Sequence, residues 1–301
     1  MSNPSAFEQL GASAGIKQIN STELYPALHQ PGDAGLPMLV VENALGRAVI
    51  ALQGAHLMAF QPAGGREMFW VSPKSALEAG KPIRGGIPLC LPWFGPSSDG
   101  KLLHGFPRLM PWSLIAAESM ESGATRLVLC LSGDASVCAL WPHAFDFRLE
   151  VLVGSELKLN FSARNCSTEA APFAFAFHTY FAVPDVAETR ISGLDGVTYI
   201  DKMNDSAIKQ QVGEVRLSAE SVFIYLGVPA IQTLQSSAGR VKIESATTCA
   251  VVWNAWANAR NIPDIGDGNH IGYICVERGD VADRALSLQP GEKYQTWMTL
   301  S

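Results

Sequence analysis

The sequence predicts an all-β, antiparallel sandwich, and three observations carry that prediction. Short segments of alternating apolar and polar residues recur along the chain, glycine, proline, asparagine and aspartate separate them, and no helix-period segment lies between them. A parallel βαβ fold needs such helices for its crossovers, so it is disfavoured. In order, the strand-like segments are RAVIALQ (47–53), RLVLCLS (126–132), FRLEVLV (147–153), ELKLNFS (156–162), TCAVVW (248–253), IGYICVE (271–277) and YQTWMTL (294–300). Each suits a pleated, half-buried surface. Gly154 and Ser155 join the third and fourth segments as a hairpin, with glycine first as a two-residue type II′ turn requires. No repeat, low-complexity tract or linker marks a boundary. Residues 21–301 are therefore expected to form one domain, with residues 1–20 loosely tethered.

The run FAFAFHTYFAV (173–183) also alternates. By parity Phe173, Phe175 and Phe177 share one face of a strand, and Ala174, Ala176, His178 and Tyr180 share the other. That second face suits either the wall of a pocket or tight packing with a core histidine hydrogen-bonded through both ring nitrogens.

With 301 residues, 48% hydrophobic and 17% charged, the chain can bury a large core. A formal net charge of -6 argues against a general nucleic-acid binder, so local arginines must hold any anionic ligand. No stretch approaches the about 18 apolar residues of a membrane span. The start MSNPSAFEQLGASAG lacks the features of a signal peptide, and a soluble, cytoplasmic protein is expected. Cys90, Cys130, Cys138, Cys166, Cys249 and Cys275 form no CxxC pair and read as buried thiols in a reducing compartment. The sequons at Asn20, Asn160 and Asn165 carry no weight without a secretion signal.

GxGxxG, GxxxxGK, HExxH and GxSxG are all missing, which removes dinucleotide, P-loop and zincin readings and weakens a serine hydrolase. DIGDGNHIGYICVE fails as a calcium loop, because the twelfth position from Asp264 is Cys275 and Glu277 comes two residues late. Two regions remain. In KPIRGGIPLCLPWFGP (81–96), Arg84 precedes two glycines and three prolines, a rigid loop suited to an anion or, more plainly, to a sheet edge with a solvated arginine. Just beyond, LLHGFPRLMPW sets His104 and Arg108 around Gly105 and Pro107, and a second guanidinium fork suits phosphate or carboxylate. In IGYICVERG (271–279), Ile271, Tyr273, Cys275 and Glu277 share a face. Glu277 is either a carboxyl with a raised pKa among apolar neighbours or a surface glutamate paired with Arg278.

Together RGGIPLCLPWFGP, HGFPR, PFAFAFHTYFAV, GLDGVTYIDK (193–202), WNAWAN (253–258) and YICVERG resemble the aldose 1-epimerase superfamily over roughly residues 36–300. They most resemble its branch acting on hexose 6-phosphates. The resemblance implies a galactose mutarotase-like β-supersandwich, no cofactor or metal, and a small-molecule hexose 6-phosphate as partner. It implies His178 and Glu277 as catalytic residues, Arg84 and Arg108 as phosphate ligands, Asp201 as a sugar-hydroxyl ligand and His104 on the pocket's flank. Leu103, Pro107 and Ala255 depart from the usual pattern, and Leu103 replaces a polar substrate contact.

The expected reaction is anomer interconversion by ring opening and closure. Glu277 as carboxylate would take the O1 proton and His178 as imidazolium would give one to O5, the roles reversing on closure. Alternatives are a mutarotase for free aldoses, a non-catalytic sugar-phosphate binding module, and a lyase or hydrolase, which lacks a second carboxylate to pair with Glu277. A monomer or weak homodimer with no nucleic-acid or membrane partner is expected.

Overall fold

The computed structural model describes residues 14–301. A first antiparallel sheet follows chain order: β1 (Ile16–Asn20), β2 (Pro37–Asn43), β3 (Gly46–Ala51) and β4 (His56–Pro62). Of the segment expected to be loosely tethered, residues 1–13 lie outside the described residues, and Ile16–Asn20 pair with β2 from Ile16↔Val41 to Asn20↔Pro37. Asn20 also caps the single-turn helix α1 (Ser21–Leu24), its side-chain oxygen accepting from the Thr22 N–H.

After the short β5 (Leu89–Cys90) comes a meander of β6 (Ser113–Ser119), β7 (Thr125–Gly133), β8 (Phe145–Val153) and β9 (Leu157–Asn165). In β8, Phe145, Phe147, Leu149, Val151 and Val153 face the core, as the alternation predicts. The β8–β9 turn differs from the two-residue prediction. Val153 pairs with Leu157, leaving Gly154, Ser155 and Glu156 in the loop. Pairing Val153 with Glu156 would shift β9 by one residue and turn its whole apolar set away from the core, so burial overrides the preferred short turn.

The phenylalanine run is broken into β10 (Ala171–Phe173), β11 (Phe175–Phe177) and β12 (Tyr180–Ala182). The remaining strands are β13 (Arg190–Ser192), β14 (Thr198–Asp201), β15 (Ala207–Gln210), β16 (Ser221–Leu226), β17 (Ile231–Ser236), β18 (Gly239–Ser245), β19 (Cys249–Asn254), β20 (Tyr273–Asp280), β21 (Leu286–Leu288) and β22 (Lys293–Leu300). Two eight-stranded sheets form the sandwich. One runs β13-β17-β18-β22-β9-β8-β7-β6, and the other β15-β14-β16-β19-β20-β11-β5 with β12 also on β20. Phe161 of β9 stacks on Phe175 of β11, centroids 4.1 Å apart, so the two sheets meet through the phenylalanine face that parity predicted.

The cysteine expectation holds for only half of the set. Cys90, Cys249 and Cys275 are buried, but Cys130 and Cys138 are half-buried and Cys166 is exposed. Cys130 alternates with Leu127, Leu129 and Leu131, which occupy the core side of β7, and so lies on the outer side. No described helix is long and apolar enough to cross a membrane.

Candidate active site

The outer face of the second sheet carries the site, and strand register explains its composition. Phe177 pairs with Arg278 and Tyr180 with Cys275, so the register runs unbroken through the gap between β11 and β12 and sets His178 opposite Glu277. On β20's other side Glu277 pairs with Val251, and Val251 with Ile224 of β16. The adjacent row is Tyr180, Cys275, Trp253 and Val222, continued by Lys202, whose N–H donates to the Val222 carbonyl. Directly paired residues share a face. Apart from Tyr180 and Cys275, which lie beneath the lining, these two rows therefore form the floor of a cavity of about 540 Å³, within the size range of small-molecule sites.

His178 is 6% exposed and Glu277 2%. The imidazole Nε2 lies 3.4 Å from Glu277 Oε1. Among the described residues His178 Nδ1 and Glu277 Oε2 have no hydrogen-bond partner, so neither the core histidine bonded through both nitrogens nor the surface glutamate is found. Arg278 is not the partner of Glu277. It lies on the opposite face, fully buried, donating to the carbonyls of Ala230 and Thr247 and to Gln232. Tyr180 stacks on the His178 ring at 4.8 Å and 5°, while Trp253 and His104 meet it edge-on.

Burial sets the protonation of the pair. It pushes the Glu277 carboxyl well above its ordinary 4.5, and it pushes His178 well below 6.5, helped by His104, Arg84 and Arg108. The sequence reading required a positive histidine and a negative glutamate; desolvation at these two positions favours both neutral forms. The neutral pair and the ion pair differ by one proton moved across the 3.4 Å contact.

Arg84 is not a solvated edge residue. Its Nε donates to Asp264 Oδ2 at 3.0 Å and its Nη1 to the Tyr180 hydroxyl at 2.9 Å, with the guanidinium over Trp253. Despite desolvation, Tyr180 and Asp264 raise its pKa, so it stays charged. The two glycines behind it let the loop touch β4 and its neighbours: a Cβ on Gly86, at φ +60°, would lie 2.1 Å from the Leu57 carbonyl oxygen.

His104 adopts φ 61° on the cavity wall. Its N–H donates to the Gly95 carbonyl at 2.7 Å, and its Nδ1 accepts from the Gly95 N–H at 3.2 Å. Burial, Arg108 and Arg84 lower its pKa to about 3, so it is neutral with its proton on Nε2, available as a donor. Arg108 sits behind this wall, not on the lining. Its Nη2 donates to the Leu103 carbonyl at 2.8 Å and its buried Nε has no partner.

Asp201 is not brought to the lining. It pairs with Phe223 on the sheet's core face, and its carboxylate holds Lys209 at 2.7 Å. The next residue, Lys202, faces the cavity instead, donating only to Ser206 Oγ and with no carboxylate within ion-pair distance among the described residues. Sequence reasoning missed Lys202, although strand parity within YIDK separates it from Asp201. It also missed Asp264, which lies in the stretch tested as a calcium loop, and Trp253 and Phe94, which give the cavity aromatic walls. Leu103, half exposed, presents its apolar side chain at the same cavity.

Comparisons with known proteins agree with this architecture. A protein of Cenchrus ciliaris named "Putative glucose-6-phosphate 1-epimerase" is 32% identical over 285 residues, covering 89% of this chain and 85% of that one. A protein of the same name from Salmonella typhimurium is 31% identical over 277 residues, 92% and 86% of the two chains. The crystal structure of a "putative mutarotase" from Salmonella typhimurium superposes with a TM-score of 0.82 at 28% identity, covering 95% of this chain and 96% of that one. The fold is thus the mutarotase-like antiparallel supersandwich. The aldose 1-epimerase family pattern matches residues 37–301, spanning every residue discussed in the site, and the chain belongs to the aldose 1-epimerase family.

Proposed function

We propose that the chain is a hexose-6-phosphate mutarotase, a glucose-6-phosphate 1-epimerase that interconverts the α and β anomers. The observation that carries the proposal is the buried His178–Glu277 pair at 3.4 Å, its outer atoms unpartnered, on the floor of an open cavity. An acid and a base are what ring opening needs. Glu277 accepts the O1 proton and His178 donates to O5, the C1–O5 bond breaks, and C1 becomes the aldehyde carbon. Rotation about C1–C2 and the reverse transfers close the ring from the other face. Ring opening leaves Glu277 protonated and His178 neutral, the state that burial favours. Sugar hydroxyls bonded to the carboxylate favour the ion pair from which the reaction starts. His104 Nε2–H is placed to donate to a sugar oxygen.

Relatives named for glucose 6-phosphate support the phosphorylated substrate, as does the local charge. Arg84 and Lys202 line the cavity and Arg108 lies behind its wall, while the nearby carboxylates are Asp264, already paired with Arg84, and the buried Glu277. We assign Arg84 and Lys202 to the phosphate, with Arg108 adding positive charge from behind the wall, and leave Asp201 as the partner of Lys209. Six free cysteines support a reducing, cytoplasmic location.

Two-dimensional exchange NMR on glucose 6-phosphate tests the proposal. Faster α-to-β exchange with protein than without supports it. A bound-state shift of the sugar signals with no acceleration would mean a binding module. Lys202→Ala is expected to raise KM for glucose 6-phosphate about tenfold or more, the worth of one charge-assisted hydrogen bond, and Arg108→Ala, acting from behind the wall, to raise it less, each with little change on glucose. Equal losses on both sugars would sink the phosphate assignment.

The same pair sets the pH dependence. A second proton must enter on His178, whose pKa burial, His104, Arg84 and Arg108 hold well below 6.5, and the single shared proton leaves from Glu277, held well above 4.5. The active, singly protonated pair therefore persists as pH falls through 6.5. The pH profile of kcat/KM is expected to keep its plateau there, and an acid limb centred at 6.5 or higher would show an ordinary imidazole instead.

A further inference from the structure

Cys275, buried just beneath the cavity floor, carries a thiol that the proton-transfer scheme leaves unused. It shares a face with Glu277 two residues on, its thiol is fully buried, and it has no hydrogen-bond partner among the described residues. One ligand atom from each of His178, Cys275 and Glu277 lies within 4.8 Å of the others. Tetrahedral zinc, with bonds of about 2.0–2.3 Å, sets its donors about 3.3–3.7 Å apart, so small side-chain shifts would bring the three into range. Glu277 Oε2 is buried and, among the described residues, unpartnered, an independent sign that the cluster is not satisfied by the protein itself.

We infer that His178, Cys275 and Glu277 form a binding site for Zn²⁺ that switches the enzyme off. Imidazole, thiolate and carboxylate are the mixed donor set of a borderline-soft divalent ion, and the sulfur disfavours Mg²⁺ and Ca²⁺. Thiolate and carboxylate cancel the two charges of the ion, which a buried site requires. A fourth position opens to the cavity, where water or a sugar oxygen completes the tetrahedron. Metal on the imidazole and carboxylate occupies the lone pairs that move protons, so anomer exchange stops until a chelator removes it. Only this loss of activity rests on the mutarotase reading; metal binding does not.

The test titrates the full chain with Zn²⁺ by calorimetry and with Co²⁺ by absorption. Wild type is expected to bind one ion per chain and to show a sulfur-to-cobalt charge-transfer band. Cys275→Ser should lose the band and weaken Zn²⁺ binding at least about tenfold, His178→Ala should weaken it similarly, and Cys166→Ala, at the exposed thiol, should change neither. In the exchange assay Zn²⁺ should silence wild type reversibly with EDTA, whereas Cys275→Ser should keep a larger fraction of its own metal-free rate at the same Zn²⁺. Absence of binding, or a band that survives both Cys275→Ser and His178→Ala or disappears with Cys166→Ala, would overturn the site. If metal-free wild type fails to accelerate exchange but binding follows the expected pattern, the mutarotase reading fails and the metal site stands.

Discussion

His178→Ala is expected to lower protein-catalysed anomer exchange of glucose 6-phosphate by about 10²–10⁴-fold, the contribution of one positioned acid or base. Glu277→Gln should do the same. The double variant should be little worse than either single one, because a proton taken without one delivered does not open the ring, and residues acting as a unit lose activity non-additively. Thermal unfolding separates this from a structural role. The imidazole borders an open cavity, and its neighbours are the Glu277 carboxyl and the rings of Tyr180, Trp253 and His104, with no hydrogen bond to the backbone of another element among the described residues. Its removal leaves no closed void, and stability should change by less than about 2 kcal/mol. A His178→Ala protein that unfolds many degrees earlier while keeping its rate would make His178 a core histidine after all.

Gly105→Ala is expected to be the most damaging single methyl group near the site. Gly105 sits at φ +76°, and a Cβ there would lie 1.5 Å from the Leu91 carbonyl oxygen, which is backbone and cannot swing aside. Strain at positive φ and displacement of the loop together should cost about 3 kcal/mol or more, read as a loss of denaturation midpoint. The same shift would carry His104 off its hydrogen bonds with Gly95 and move Arg108 with it. A variant as stable and as active as wild type would mean that the loop does not hold the wall of the cavity.

Much of this was legible because strand periodicity is local. The parity of FAFAFHTYFAV put three phenylalanines in the core and His178 and Tyr180 on the other side, as found, even though the run breaks into three short strands. The parity of YICVE placed Glu277 with Cys275 and Tyr273 in the same way. Where the reading stopped short, register or partners were needed. The β8–β9 turn grew by one residue because burial across two strands outweighed the preference of one turn. Asp201 ends β14 and Lys202 follows it, the two on opposite faces of the sheet, and without the pairing of β14 to β16 nothing said which face the cavity would take.

The sequence by itself determined the antiparallel class, the alternation that fills the core, and the presence of one histidine and one glutamate on strands with open faces, since each follows from residues within a few positions of one another. Only the tertiary structure decided that those two are cross-strand partners nearly 100 residues apart in the chain, Nε2 to Oε1 at 3.4 Å. It also decided that Arg84 is clamped by Asp264, and that burial disfavours the charged form of both His178 and Glu277. Register, desolvation and charge partnership depend on which distant strands come together, and that information belongs to the folded chain as a whole.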